Sequence, residues 1–350
     1  MRALRLRDFG ELAVEQVPDP EPGPHEALVR ITATGICGSD LHGFTGETGR
    51  RAPGQVMGHE TVGTVETPSR TGGPPAGAVV TVNPVISCGQ CAACRAGSEQ
   101  ACPTKSVIGV HTEIVSAFAE LMAVPAGNLV ELPYSMPEEY GALVEPLAVG
   151  YHALRRGDAG PGDVVLVVGA GPIGQACVLA ARRLGAEAVA VSEPDPHRRG
   201  LAGALGAEML DPGEGELATR AADALRRPPT LTVDAVGATA SLRDALASTA
   251  PGGRVVLVGM ATPDVDVPAY AVSTQERTVI GSFCYSAGEF RDTAAWVGGA
   301  PAELASLVEG RVDLAGAPAA FTRLAKGEDQ ASKVLVFPYG VPAAVAGQEA

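Results

Sequence analysis

A glycine-rich change from strand to helix constrains the fold of this chain more than any other feature. The segment "DVVLVVGAGPIGQACVLAARRLG" gives an apolar run, then Gly169, Gly171 and Gly174 in G-x-G-x-x-G order, then a helical pattern. Apolar or small residues recur there at helical spacing, at Ile173, Ala176, Cys177, Ala180 and Leu184. Further strand-like runs alternate with helical segments up to "TVIGSF", after which "GEFRDTAAWV" and "PAELASLVE" predict helices. Strands joined by helices of this length form a parallel sheet, so a doubly wound α/β domain is predicted.

The same glycines predict a dinucleotide site. They allow a tight turn and the close approach of a pyrophosphate, whose charge the helix N-terminus favours. The next strand-like run ends at Glu193, 19 residues after Gly174, where a carboxylate accepts hydrogen bonds from a ribose and repels a 2′-phosphate. We therefore expect NAD, with NADP less favoured. The candidate cofactor-binding residues are Gly169, Gly171, Pro172, Ile173, Gly174, Glu193, Arg198, Val236 and Val258.

Composition restricts the partners and the location. The 350 residues suffice for two domains with their own cores. With a net charge of −14, the chain is repelled by phosphate backbones, so no nucleic acid partner is expected. No apolar run approaches the roughly 18 to 20 residues of a membrane span, and "MRALRLRDFG" lacks the apolar core of a signal peptide. We expect a cytoplasmic protein without a membrane partner.

Four cysteines lie in one short segment, "CGQCAACRAGSEQAC", with the spacing C-x2-C-x2-C-x7-C: Cys88, Cys91, Cys94 and Cys102. Stable disulfides are disfavoured in a reducing cytoplasm, which favours a metal or catalytic interpretation. Four thiolates in one loop suit a closed, tetrahedral structural zinc site. An iron–sulfur cluster uses the same ligands and stays open as an alternative. A closed site leaves no position for a substrate, so this group is predicted to stabilise a lobe.

A second set of candidate ligands precedes the first. The segments "GICGSDLH" and "GHE" contain a thiol, imidazoles and carboxylates, the ligand types of an open zinc site: Cys37, Ser39, Asp40, His42, His59 and Glu60. Taken singly, a core cysteine, a loop histidine and a solvated glutamate are the more ordinary interpretations. Glu145 lies in the apolar stretch "GALVEPLAVG", where a carboxylate is costly unless it is paired or bound to metal. A solvated charge at a helix start is the alternative.

Together these motifs resemble the zinc-dependent medium-chain dehydrogenases, which include alcohol, sorbitol and threonine dehydrogenases. The resemblance extends from the N-terminal β-rich region to "KVLVFP". It implies a GroES-like, mainly β catalytic domain from residues 1–147 and 288–350, with a Rossmann domain inserted at 148–287. The active site is expected in the cleft between them.

The resemblance also implies roles for individual residues. Two zinc ions per chain are expected, a structural one on the four clustered cysteines and a catalytic one on Cys37 and His59, with Glu60 and Glu145 as further candidates. Ser39 would accept the proton of the substrate hydroxyl, and His42 would pass it to solvent through the cofactor ribose. Asp40 would bind the second nitrogen of His59, the usual partner of a zinc-bound imidazole.

The expected function is hydride transfer between a secondary alcohol and NAD. Many alcohol dehydrogenases have cysteine where this chain has Glu145, whereas sorbitol- and threonine-type members have glutamate, so a polyol, sugar or related alcohol is favoured. The alternative within this class is a biosynthetic ketone or aldehyde reductase, or a dehydrogenase, acting on a cyclitol or amino sugar. A zinc-ribbon nucleic-acid binder leaves the glycine loop unexplained, and a zinc-free quinone reductase leaves both metal sets unexplained.

Two further expectations concern the surface. The resemblance implies a homodimer or homotetramer, with the edge strand of the Rossmann domain after Gly259 as a contact. Arg50 and Arg51 precede "APGQVM" in a loop expected to border the substrate cleft. They are candidates for attracting an anionic group, although plain surface arginines are the favoured interpretation.

Overall fold

The chain folds into two units, each with its own main sheet. The computed structural model describes residues 1–47 and 49–343. The first unit contains Met1–Glu145 and the segment that begins at Ser286, and the second is Pro146–Tyr285. The predicted bounds place both junctions two residues further along the chain, after residues 147 and 287.

Seventeen strands form within the described residues. In chain order they are β1 (Arg2–Asp8), β2 (Glu11–Gln16), β3 (Glu26–Gly35), β4 (Glu60–Thr67), β5 (Val79–Val82), β6 (Val85–Ile86), β7 (Ser106–Val107), β8 (Leu121–Pro125), β9 (Leu129–Glu131), β10 (Val164–Val168), β11 (Ala188–Ser192), β12 (Glu208–Leu210), β13 (Leu231–Asp234), β14 (Arg254–Leu257), β15 (Thr278–Gly281), β16 (Gly310–Asp313) and β17 (Val334–Phe337).

Ten α-helices accompany them in the same part of the chain. They are α1 (Gly38–Thr45), α2 (Ala92–Arg95), α3 (Val144–Arg156), α4 (Pro172–Arg183), α5 (Pro196–Ala204), α6 (Leu217–Ala224), α7 (Thr239–Ser248), α8 (Ala269–Ser273), α9 (Ala287–Gly298) and α10 (Ala317–Ala325). Among the described residues, none of these helices combines the length and the apolar character needed to cross a membrane.

The first unit is mainly β. Its large sheet has the order β16-β17-β3-β4-β5-β9, with β8 also paired to β3. Along β3, Ala27, Val29 and Ile31 are buried and alternate with more exposed residues, the period-2 pattern of a strand with one face in the core. Strand β17, from the C-terminal part of the chain, pairs antiparallel with β3. The two sequence-distant parts of this unit therefore share one sheet.

The second unit is a parallel, doubly wound α/β sheet. Its strand order is β12-β11-β10-β13-β14-β15, and every neighbouring pair is parallel. The central strand β10, "VVLVV", is buried at every position, as expected for a strand covered on both faces. Cys177 lies on the buried face of α4 with 0% exposure. The fold class predicted from the sequence is confirmed, and Cys177 packs in the core of this unit.

One helical prediction is wrong. The segment "PAELASLVE" forms only a 3-10 turn at Ala302–Leu307, and the chain then enters β16, which pairs in parallel with β17. Leu304 and Leu307 are both buried, so their three-residue spacing looks helical in the sequence. Tertiary pairing with β17 decides the outcome, because strand residues gain ladder hydrogen bonds that a local pattern does not reveal.

A buried ion pair joins β16 to the turn before α3. Arg311 donates from Nε and Nη2 to the two carboxylate oxygens of Glu139 at 2.9 and 2.8 Å. The side chains are 8% and 5% exposed. Removing one member of such a pair leaves the other charge buried without compensation.

We predict that Arg311→Met destabilises the protein by about 3–5 kcal/mol, because Glu139 then keeps a buried, uncompensated charge. Thermal unfolding followed by circular dichroism measures the loss. The matched control is Arg311→Met with Glu139→Gln, which leaves no orphan charge and is expected to recover most of the stability. Equal destabilisation of the single and double variants would contradict this account.

Candidate functional site

Four cysteines converge in the loop between β6 and β7. The Sγ atoms of Cys88, Cys91, Cys94 and Cys102 all lie within 4.8 Å of one another. The Cys94 Sγ is 3.5 Å from that of Cys91 and 4.0 Å from that of Cys88. Sulfurs around a tetrahedral zinc, each about 2.3 Å from the metal, stand about 3.8 Å apart. The donor set and its spacing therefore suit zinc.

Backbone donors in this loop favour the thiolate form. The backbone of Cys88 and then the hydroxyl of Thr104 lower the pKa of Cys102 to about 6. The backbone N–H groups of Gln90 and Cys91 lower the pKa of Cys88. Because the thiolate is the form that binds metal, this hydrogen bonding prepares Cys88 and Cys102 as ligands. Cys91 differs: the backbone N–H of Cys94 lowers its pKa, but burial and the neighbouring thiols outweigh this and raise the pKa to about 11.

A second group forms where β3 and β4 pair. The candidate ligand atoms of Cys37, His59 and Glu60 lie within 4.8 Å of one another. Cys37 caps α1 just after β3, and Glu60 opens β4 opposite Gly35 of β3. A Cβ at position 35 would lie 2.1 Å from Glu60 Oε2, so the glycine leaves room for the carboxylate. A thiolate, an imidazole and a carboxylate are brought together, the donor chemistry of an open zinc site.

The two ring nitrogens of His59 face different partners. Its Nδ1 is 3.5 Å from Asp40 Oδ1, and its Nε2 is 3.5 Å from Ser39 Oγ. Burial alone lowers the pKa of His59, but the charges of Asp40 and Cys37 outweigh it and raise the pKa well above its usual value. Since a metal-bound histidine is neutral, a metal competes here with a proton.

Sequence reasoning missed Lys333, which lies against this group. Its Nζ donates to both Glu60 oxygens at 2.7 and 2.6 Å and to the Ile36 carbonyl at 3.2 Å. Burial would lower the pKa of Lys333, but Glu60 and Cys37 raise it. The residue is separated from Glu60 by 273 positions, so no local motif connects them. The one available signal is that the chain has only three lysines, and this one opens an apolar strand.

Glu145 and His42 occupy different surroundings. Among the described residues, Glu145 does not join the group of Cys37, His59 and Glu60; it is buried in the first turn of α3, and its charge contributes to raising the pKa of Lys333. His42 lies near the end of α1, where its Nδ1 is 2.7 Å from Glu47 Oε2 and its side chain is 38% exposed. The predicted end of the proton path is therefore open to solvent.

The glycine loop of the second unit needs glycine for several reasons. Gly169 has φ of 95°, which favours glycine. A Cβ on Gly174 would lie 1.9 Å from the Gly169 carbonyl oxygen, whereas at Gly171 nothing lies within 4 Å of an added Cβ. Gly171 caps α4, and Pro172 is the first residue of that helix. A helix start beside an open glycine face has the features that favour anion binding.

Glu193, the predicted ribose partner, also forms a hydrogen bond with this loop. Glu193 is 6% exposed, and its two oxygens accept from the backbone N–H groups of Ala170 at 2.7 Å and Asp195 at 3.0 Å. Val236 lies against Gly169, and Val258 is buried just beyond β14. Further candidates are placed as follows: Ile173 lies in the first turn of α4, and Arg198 lies in the first turn of α5 with a buried Nε that has no hydrogen-bond partner among the described residues.

Comparison with known proteins decides the family. Residues 23–134 match the model of the alcohol dehydrogenase GroES-like domain, and residues 172–298 match that of zinc-binding dehydrogenases. The chain is 38% identical over 260 residues to L-threonine 3-dehydrogenase of Pyrococcus horikoshii, which covers 72% of this chain and 73% of that protein. The chain belongs to the zinc-dependent medium-chain dehydrogenases.

Two further relatives of this dehydrogenase extend the comparison. Sorbitol dehydrogenase of Arabidopsis thaliana is 34% identical over 295 residues, 81% of this chain and 80% of that protein. A solved structure from Sinorhizobium meliloti 1021, bound to NADP, has 31% identity and a TM-score of 0.89 over 96% of this chain and 99% of that one. Membership of this family makes the chain an enzyme that uses zinc and a nicotinamide dinucleotide.

We predict that Cys94→Ser removes one of two zinc ions from this dehydrogenase and lowers its melting temperature by several degrees. Loss of a thiolate opens the four-sulfur group, and the binding free energy of a structural zinc contributes to folding. Metal analysis and thermal unfolding measure the two effects. Cys177→Ala is the matched control, because that buried cysteine belongs to neither group and both ions should remain. A Cys94→Ser variant that keeps two zinc ions would refute the assignment.

Proposed function

We propose that this dehydrogenase transfers a hydride between a secondary alcohol of the polyol or sugar class and NAD. The observation that carries the proposal is the convergence of Cys37, His59 and Glu60 within 4.8 Å. These residues would hold the catalytic zinc, and the glycine loop with Glu193 would hold the dinucleotide.

We assign the proton path to two residues of the protein, Ser39 and His42. Zinc bound at the second group would act as a Lewis acid that favours loss of the substrate hydroxyl proton. Ser39 Oγ lies 3.5 Å from His59 Nε2, which supports its proposed role as the acceptor of that proton. His42, partly exposed and hydrogen-bonded to Glu47, would release it to solvent. A nicotinamide dinucleotide held at the glycine loop and Glu193 would supply the hydride acceptor.

Lys333 neutralises the buried charge of Glu60 beside the metal group. A carboxylate with 1% exposure would be costly without a cation, and Lys333 supplies one. The same ammonium limits the charge that Glu60 can direct to the metal. Glu60 is therefore proposed as the carboxylate of the second group, with Glu145 as a more distant charge.

The substrate class rests on two supports. Glutamate at position 145 agrees with sorbitol- and threonine-type dehydrogenases, and relatives named for those two activities are 34% and 38% identical to this chain. Both names describe oxidation at a hydroxyl of a polar, multifunctional molecule. We therefore place the substrate among polyols, sugars and related secondary alcohols.

NAD is proposed over NADP. The Glu193 carboxylate is fixed by two backbone N–H groups at the end of β11, so it would meet an adenosine ribose as a rigid negative charge. A 2′-phosphate would be repelled there. Because the Sinorhizobium meliloti relative is bound to NADP, both dinucleotides belong in any test.

The decisive experiment follows the absorbance of reduced nicotinamide with zinc-loaded protein across polyols, sugars, amino alcohols and simple alcohols, with NAD and NADP in parallel. We expect turnover of a polyol or sugar with NAD. Ser39→Ala should lower kcat by roughly 10²- to 10⁴-fold, the usual contribution of a proton-transfer group.

Cys37→Ala supplies the matching metal-centre variant. It is expected to abolish turnover while the protein stays folded and keeps the zinc of the four cysteines. Turnover retained in a Cys37→Ala protein of verified metal content would refute the ligand assignment. Turnover of simple primary alcohols alone would refute the substrate class.

We also propose a homodimer or homotetramer built on the β15 edge, within the cytoplasm. Strand β15 closes one side of the parallel sheet, and Thr278, Val279 and Gly281 are exposed. An exposed strand edge presents unpaired backbone groups to a second copy. The free thiols of both cysteine groups suit a reducing compartment.

A lysine on this edge should block self-pairing, so we expect Val279→Lys to convert the oligomer to monomer in light scattering coupled to size-exclusion chromatography. Met209→Lys is the control, since Met209 is exposed on β12 at the opposite edge of the same sheet. An unchanged mass for Val279→Lys would exclude β15 as the interface.

A further inference from the structure

Arg51 is a buried arginine that the mechanism above does not use. Its side chain is 2% exposed, whereas its neighbour Arg50 is exposed, so the interpretation of Arg51 as a surface residue is wrong. The stem crosses α1 at Gly43, where an added Cβ would lie 2.4 Å from Arg51 Cγ and 3.2 Å from Met57 Sδ. A guanidinium is costly to bury unless a carboxylate offsets its charge. Because Gly43 has no side chain, α1 leaves room for the buried Arg51 stem.

Asp40 is the carboxylate that Arg51 meets. Arg51 Nη2 is 3.6 Å from Asp40 Oδ1, and the same oxygen is 3.5 Å from His59 Nδ1. The other Asp40 oxygen accepts from the backbone N–H of Cys37 at 3.2 Å, which ties the carboxylate to the start of α1. Arg51 Nη2, Asp40 Oδ1 and His59 Nδ1 are buried and have no hydrogen-bond partner among the described residues. They form one electrostatic row.

The row ends at the second metal-ligand group. His59 belongs to that group with Cys37 and Glu60. Asp40 has His59 and Arg51 as its cationic or chargeable neighbours. A metal-bound histidine is neutral, so in the metal-loaded enzyme the full positive charge beside Asp40 belongs to Arg51.

We propose that Arg51 is a positioning residue of the catalytic metal centre, which holds the Asp40 carboxylate against His59 Nδ1 and thereby directs His59 Nε2 to the metal. This inference rests on the proposed function only in that Cys37, His59 and Glu60 bind the metal. Outer partners of metal ligands typically contribute 10- to 100-fold in metal affinity. Arg51 acts through Asp40 and touches neither substrate nor metal.

The test measures zinc affinity of the second group by competition with a chromophoric chelator, using the full-length protein. Arg51→Met keeps an apolar stem and removes the charge, and a roughly 10- to 100-fold loss of affinity is expected. The four-cysteine zinc should remain, which also reports that the first unit is folded. The visible spectrum of cobalt bound in place of the catalytic zinc should shift, because the orientation of the imidazole changes.

Three variants separate charge from packing. Arg50→Met, one residue earlier and exposed, should behave as wild type. Arg51→Lys keeps the charge but not the planar guanidinium, so an intermediate affinity is expected. Gly43→Ala leaves every charge in place but puts a Cβ 2.4 Å from the Arg51 stem. It should therefore also lower the zinc affinity, and it remains informative if Arg51→Met does not fold.

Wild-type zinc affinity and an unchanged cobalt spectrum in Arg51→Met would overturn the proposal. So would an Arg51→Lys protein no better than Arg51→Met, because restoring a positive charge at this position would then have no effect on metal binding. A double variant, Arg51→Met with Asp40→Asn, should be no weaker than the worse single variant, and additive losses would argue against a shared row. If the wild-type protein binds only one zinc per chain, the proposed function itself fails, which is a separate result.

Discussion

The stability of the first unit depends on two buried cations that neutralise two carboxylates buried close together. Glu60 is 1% exposed and Asp40 is 0% exposed, and each meets a buried cation, Lys333 or Arg51. Isolated charges in such surroundings would be destabilising by several kcal/mol each. The backbone is adapted to both pairs, since Gly35 leaves room for Glu60 and Gly43 leaves room for Arg51. The metal-ligand group thus lies within a set of charges that balance one another.

These charges lie where the two sequence-distant parts of the first unit share one sheet. The pairing of β3 with β4 places Gly35 opposite Glu60, and the pairing of β17 with β3 places Leu335 opposite the same glycine. Lys333 enters just before β17 and reaches Glu60 from there. Three strands therefore meet around one carboxylate. The strand order of the sheet thus determines which charges lie together at the site. The second unit shows a similar arrangement, because Glu193 accepts a hydrogen bond from the backbone N–H of Ala170 in the glycine loop.

Much of this could be predicted from local patterns. The strand, glycine loop and helix from Val164 to Arg183 have the spacing that a parallel sheet requires, and the cysteine group has the spacing of a metal loop. Local patterns failed where two distant segments had to pair: the segment after Pro301 looked helical but leads into β16. Arg51 also looked like a surface residue, because nothing in its neighbourhood shows that Gly43 opens a path beneath it.

The sequence by itself determined the chemistry that is available. It supplied the thiolates, the imidazole of His59, the glycines at Gly169 and Gly174, and the carboxylate of Glu193, because residue type and short spacing are local properties. Only the tertiary structure decided which charges meet. Lys333 reaches Glu60 across 273 positions, and Glu60 rather than Glu145 joins Cys37 and His59. Those partnerships follow from strand order and burial, and a charge separated by hundreds of residues acquires its partner only when a sheet closes around both.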